Sequence, residues 1–289
     1  MDDFSLKDFL ESLKNLLSKY YLSVRIIVSL FFITGIIYSL VLDDVYRSDA
    51  LLIRAEGTKM ESDGNASIAG LLEMAGSGGD RVEVLTEQIV ISRDFFKYFV
   101  SKRNIFPELI AVKKYHKKSK TLTYNKSQYD PVTNEWKGDD PTENIFRYHN
   151  NFLSQFVLEF DTQTKTAFLN VFHASPYVAQ KWAQWFIEDL NTYISSIEIE
   201  NAKLLYEYLE SRVNSSPSSE VRRQIGNIMI FNLGKMALAE RSSEYAYEII
   251  DEPHVPLHKH SPRRSLIVLI FLFLGFLISL FRAYLIEKL

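Results

Sequence analysis

Six histidines and no cysteine set the first limit on the chemistry this chain can do. Thiolate nucleophiles, disulfides and thiolate metal sites are excluded. Three of the histidines, His254, His258 and His260, share a proline-spaced segment whose nearest carboxylates are Asp251 and Glu252. Imidazole and carboxylate are metal-ligand types, but a metal site needs them to converge. An extended, solvated linker does not do that, and the segment reads as a polar spacer without metal. His116, His149 and His173 stand apart from one another. No GxSxG and no HExxH occurs, so neither a nucleophile elbow nor a zincin helix can be built. The GSGG at Gly76 to Gly79 could approach a phosphate closely. It lacks the Lys-Ser/Thr of a nucleotide loop and no apolar strand leads into it, so residues 57–80 read as a mobile loop with an apolar patch at 68–74. The basic run KKYHKKSK at 113–120 could meet a lipid headgroup or a glycan phosphate; the plainer reading is a solvated loop. The many tyrosines and phenylalanines could stack on sugars, but aromatics at helical spacing belong to a core. No catalytic set, cofactor site or metal site emerges, and a carboxylate pair for an enzyme of lipid-linked sugars cannot be assembled. The net charge of -3 argues against nucleic acid as a partner.

The positioning elements are more informative. Residues 26–42 and 265–281 form two dense apolar runs. The first spans about 26 Å as a helix, close to the thickness of a bilayer core. Tyr20, Tyr21 and Tyr284 suit membrane interfaces, and Arg25 and Arg282 can snorkel outward. Residues 1–25 carry apolar side chains at helical spacing and read as a cytoplasmic segment lying on the inner membrane face. Lys14, Lys19 and Arg25 precede the first run, and Asp43 and Asp44 follow it, which favours an inside N-terminus. Lys259, Arg263 and Arg264 oppose that rule at the second run, but long translocated domains obey it weakly. Ser48-x-Ala50 resembles a cleavage site, yet the lead and the run are both long for a signal peptide. Each run carries a small-xxx-small pair, Gly35 with Ser39 and Gly275 with Ser279, the spacing that lets helix backbones approach.

Between the runs, residues 43–264 read as one α+β unit. ALLIR at 50–54 is a short strand. Residues 81–103 keep Leu85, Ile89, Phe96, Phe99 and Val100 near one helical face, with Asn104 and Pro107 ending the helix. Residues 129–142 have turn chemistry, and 143–152 suit a short helix. Residues 156–160 and 167–172 form a hairpin with Ala167, Leu169 and Val171 on one face and Phe168, Asn170 and Phe172 on the other. Ser175-Pro176 opens a long helix over 176–213, apolar at Val178, Trp182, Phe186, Leu190, Tyr193, Ile197, Leu204, Tyr208 and Val213, about 57 Å if straight. Pro217 breaks it, and a second helix is expected over 218–247. A helix that long outruns any core a unit of this size can build, so its far part needs a partner, either the returning second helix or another copy of the chain, the second of which argues for a homo-oligomer.

The last stretch carries the most specific order. EYAYEIID at 244–251 reads as the end of a helix. A proline-rich spacer at 251–264 follows, with Pro253, Pro256 and Pro262, then Arg263-Arg264 and the second apolar run. Spaced prolines hold a linker extended. This order resembles the Wzz-type chain-length determinants, the polysaccharide co-polymerases of bacterial inner membranes. NIFPEL at 104–109 and the hairpin running through His173 resemble the same family. The three spacer histidines and the single glycine of the closing helix depart from it.

The resemblance implies a two-pass inner-membrane protein with a periplasmic α/β base, a long projecting helix and assembly into a ring. Its partners would be further copies, a Wzy-type polymerase, lipid-linked polysaccharide and membrane lipid. Its role would be non-enzymatic control of polymer length, of lipopolysaccharide O-antigen or a related surface polymer. An adaptor for capsule or exopolysaccharide export shares the two anchors. A sensory receptor would need a signalling module, and residues 282–289 read as a short cytoplasmic tail, too short for that or for the kinase fused to some relatives.

Overall fold

The computed structural model describes residues 18–55, 86–161, 163–213, 215 and 218–288. Most of the N-terminal amphipathic segment, the 57–80 loop with its GSGG and apolar patch, and Pro217 lie outside the described residues. In chain order the elements are α1 (Tyr21–Val41), β1 (Tyr46–Arg54), α2 (Arg93–Arg103), α3 (Phe106–Ile110), β2 (Val112–His116) and β3 (Thr121–Tyr124). There follow β4 (Tyr129–Asp130), β5 (Glu135–Trp136), α4 (His149–Gln155), β6 (Phe156–Asp161) and β7 (Thr166–His173). The chain closes with α5 (Pro176–Val213), α6 (Ser219–Arg241), β8 (Tyr247–Asp251) and α7 (Arg264–Lys288). Two units result, one from Met1–Val45 with His258–Leu289, the other Tyr46–Leu257.

The first unit is an antiparallel pair of helices, α1 and α7, each long and apolar enough to cross a membrane. Helix α1 begins at Tyr21, earlier than the apolar run at residue 26, because Arg25 is a good helix former and sits exposed on it. Helix α7 runs through residues 282–288 as well, since no glycine or proline stops it there.

The second unit is built on a four-stranded antiparallel sheet in the order β6-β7-β1-β8. The hairpin faces are those its period dictates. Ala167, Leu169 and Val171 are buried, while Phe168 is exposed. Strand β1 starts at Tyr46, four residues before ALLIR, and buries Tyr46, Ser48, Ala50, Leu52 and Arg54 on one face. Helix α5 lays Trp182, Ala183, Phe186, Leu190 and Ile194 on that face, and Phe95, Phe96, Phe99, Phe152 and Phe156 complete the core. Phe156 stacks on Trp182 at 5.4 Å and on Phe186 at 5.3 Å. Aromatics at helical spacing are thus core here.

Three sequence expectations are corrected. The helix expected over 81–103 is interrupted: residues 86–90 are helical, and α2 starts afresh after Ser92, whose hydroxyl accepts from Phe95 N at 3.1 Å. A serine at that position is an N-cap, and the sequence reading passed over it. Asn104 ends α2 in the left-handed region, φ 49°, while Pro107 opens α3 rather than closing anything. The second helix stops at Arg241, not at 247, and Tyr247–Asp251 is a strand. Aromatic and β-branched residues in that stretch suit the open edge of β1, and pairing there outweighs helical continuation. The basic run at 113–120 lies half on strand β2, residues 113–116, and half on the exposed turn of the β2–β3 hairpin, residues 117–120, where the loop reading holds.

Candidate functional site

The spacer enters the second unit as the continuation of β8. Ser48, buried on β1, donates its hydroxyl to the His254 carbonyl at 2.8 Å, and Pro253 is buried beside it. Proline has no N–H to satisfy, so burying it at the end of a strand leaves no donor unpaired. Pro256 is half-buried. Asn191 of α5 fastens the stretch before the spacer. Its Oδ1 accepts from Ala246 N at 2.8 Å and Tyr247 N at 2.9 Å, and its Nδ2 donates to the Tyr247 carbonyl at 3.0 Å. Tyr245, Ala246 and Tyr247 are buried as a result. This is the structural content of the EYAYEIID stretch, a strand start clamped by a side-chain amide.

In the first unit the spacer closes against the end of α1. Val45 donates to the Ser261 carbonyl at 2.9 Å and its own carbonyl accepts from His260 N at 2.8 Å. Asp44 Oδ1 takes Lys259 Nζ at 2.8 Å and Arg264 Nη2 at 3.0 Å. Pro262 is half-buried and Arg263 is exposed. At the opposite end of the pair Lys19 meets Glu287 at 3.4 Å. The glycines sit in reciprocal positions. A Cβ on Gly35 would come within 2.8 Å of Phe271 Cβ, and one on Gly275 within 2.7 Å of Phe31 Cβ. Ser39 and Ser279 are buried, and each returns its hydroxyl to a carbonyl of its own helix, of Ile36 and Phe276. The structure thus brings all four small residues into the α1–α7 contact.

Helix α5 serves two surroundings. Its first half is core. Asp189, side chain 1% exposed, accepts from Arg103 Nε at 2.6 Å and Nη2 at 2.8 Å and from Lys102 Nζ at 2.7 Å, pinning α2 to it. Its second half pairs with α6 through buried Ala202 and Ala239 and an ion pair, Lys235 with Glu198 at 3.3 Å. Beyond that seam large apolar side chains face outward: Leu204 is 56% and Tyr208 56% exposed, and Ile230 on α6 is 70% exposed.

The perturbed groups are structural in character. His173 is buried, and desolvation lowers its pKa to about 4. Its Nδ1 accepts from Ser175 N at 2.9 Å, so the neutral ring carries its proton on Nε2, which faces the Glu108 carbonyl at 3.1 Å. Both ring nitrogens are used, and the ring caps the start of α5. Burial pushes the Glu108 carboxyl up and the Tyr124 phenol up to about 12. Among the described residues no three His, Asp or Glu side chains lie close enough to hold a metal ion. Of the spacer histidines, His254 Nδ1 lies 4.0 Å from Asp251 Oδ1. Asn191 and Asp189 escaped the sequence reading, since one polar residue on an apolar helix face gives no signal of its distant partner.

No family model matches the chain, and no curated protein matches it. Among solved structures it is similar to a full-length bacterial polysaccharide co-polymerase, at 9% identity and TM-score 0.41, covering 94% of this chain and 96% of that one. It is also similar to a fragment of WzzB, a polysaccharide co-polymerase from Salmonella Typhimurium, at 11% identity and TM-score 0.34, covering 76% of this chain and 100% of that one.

Proposed function

We propose that this chain is a non-enzymatic regulator of polysaccharide chain length, acting on lipopolysaccharide O-antigen or a related surface polymer. It works as a homo-oligomeric, ring-forming scaffold beside a Wzy-type polymerase and its lipid-linked polysaccharide. It sits in the bacterial inner membrane with residues 43–264 in the periplasm. The observation that carries this reading is α5. The helix starts in the core, runs about 57 Å, and leaves Leu204 and Tyr208 uncovered on a chain flanked by two membrane-capable helices. A projecting apolar helix is a scaffold element and supplies no reacting group, and a second copy of the same helix is the partner that covers it. Pro253, Pro256, Pro262, Arg263 and Arg264 are the residues through which the base acts on its anchor. The test is a gel of surface polysaccharide from cells with and without the protein. Loss of a modal ladder in favour of a broad, mostly short distribution supports the reading. A ladder that keeps its mode while surface polymer disappears favours an export adaptor.

A further inference from the structure

A pocket in the anchor unit is lined by Lys259, His260, Arg263 and Arg264 above Leu266 and Leu269. A second, apolar groove shares Arg264 and Leu269 and continues between α1 and α7 past Phe32 and Leu272. A cationic mouth thus opens onto an apolar channel along two membrane-capable helices. We propose that this composite site binds a lipid with a phosphate monoester headgroup, the phosphate among Lys259, Arg263 and Arg264 and one acyl chain in the groove.

Three observations carry the proposal. First, the cations exceed their counter-charge. Lys259 and Arg264 both converge on a single oxygen of Asp44, and Arg263 has no carboxylate partner among the described residues. Three cations against that one carboxylate leave a net charge of +2. A phosphodiester brings one negative charge, whereas a phosphate monoester brings about two. Second, Arg264 Nε is buried with no hydrogen-bond partner. A guanidinium can serve two acceptors at once, and a tetrahedral phosphate offers the oxygen that Asp44 does not. Third, the apolar groove begins where the cations end, so a headgroup and its chain can be held together. Asp44 answers only Lys259 and Arg264, and the charge rule for membrane insertion disfavours a surplus of cations on this side of the second helix. A phosphate partner gives them a purpose. The inference rests on the reading that this unit spans a membrane, but it requires no polymer.

The full chain is placed in phosphatidylcholine nanodiscs doped with either phosphatidic acid, a monoester, or phosphatidylglycerol, a diester, and the lipid retained is counted by native mass spectrometry. Phosphatidic acid is expected to be retained about tenfold over phosphatidylglycerol, the difference one extra charge-assisted contact makes. Arg263→Gln, an exposed position whose change leaves the Asp44 pairs intact, brings the two lipids to equal retention with helix content unchanged. Equal retention in the unaltered chain overturns the proposal, as does an Arg263→Gln variant that still prefers phosphatidic acid. Displacement of the lipid by inorganic phosphate would mark a free-phosphate site and also overturn it. Since no polysaccharide is present, these results stand apart from the outcome of the ladder experiment.

Discussion

The Asn191 side chain occupies the place of a strand neighbour, taking two backbone N–H groups and giving one to a carbonyl around Ala246 and Tyr247. Every one of these groups is buried, so removing the amide leaves polar atoms without water or partner. Asn191→Ala should lower the stability of the base by about 3 kcal/mol. Denaturant unfolding of the detergent-solubilised chain, followed by its aromatic circular dichroism, reads this directly, and a loss near zero would refute the clamp. His173 makes a pH prediction. Its folded pKa, about 4, lies below the ordinary 6.5 of the unfolded chain. Between those values the unfolded state binds the extra proton. Stability is therefore full above about pH 6.5 and falls on acidification towards pH 4, by about 3 kcal/mol in all. A His173→Gln variant should lose that part of the slope. If its pH profile parallels that of the unaltered chain, the assignment fails.

At the scale of elements, period and chain length explain what was legible. The hairpin faces and the bounds of α5 follow from alternation at two residues and from an apolar face sustained from Trp182 onward. Strand β8 was not legible, because five residues hold too little period to separate a strand from the last turns of a helix. What decides it is the vacant edge of β1, which the local sequence cannot show. The break at Ser92 was missed for the opposite reason: the cap is local, but the apolar period continues through it. The glycines of α1 and α7 were legible as a spacing, and the structure adds their opposing rings, Phe271 and Phe31. Gly35→Ala should push the helices apart and lower the stability of the pair by about 1–3 kcal/mol. Gly226, inside α6 with nothing within 4 Å of a new Cβ, should gain about 0.5–1 kcal/mol from alanine. Thermal unfolding midpoints of the two variants should therefore move in opposite directions, and movement in the same direction contradicts the seam.

For the whole molecule the governing fact is that the core ends before α5 does. Burial along the helix is dense to Ile194 and reaches Ala202, after which Leu204, Leu205 and Tyr208 face outward, joined by Val221, Ile230 and Leu233 of α6. A monomer in water gains nothing from that surface, whereas copies arranged side by side, as proposed above, would cover it. The proposed control of polymer length rests on assembly through this surface. The most direct test replaces Leu204 and Tyr208 together by glutamate and compares the surface-polysaccharide ladder with that of the unaltered chain at equal membrane levels. The account predicts a chain that folds and enters the membrane but fails to cross-link into oligomers, with the modal band replaced by a broad, short distribution. An unchanged mode from a variant shown to be unassembled would contradict it.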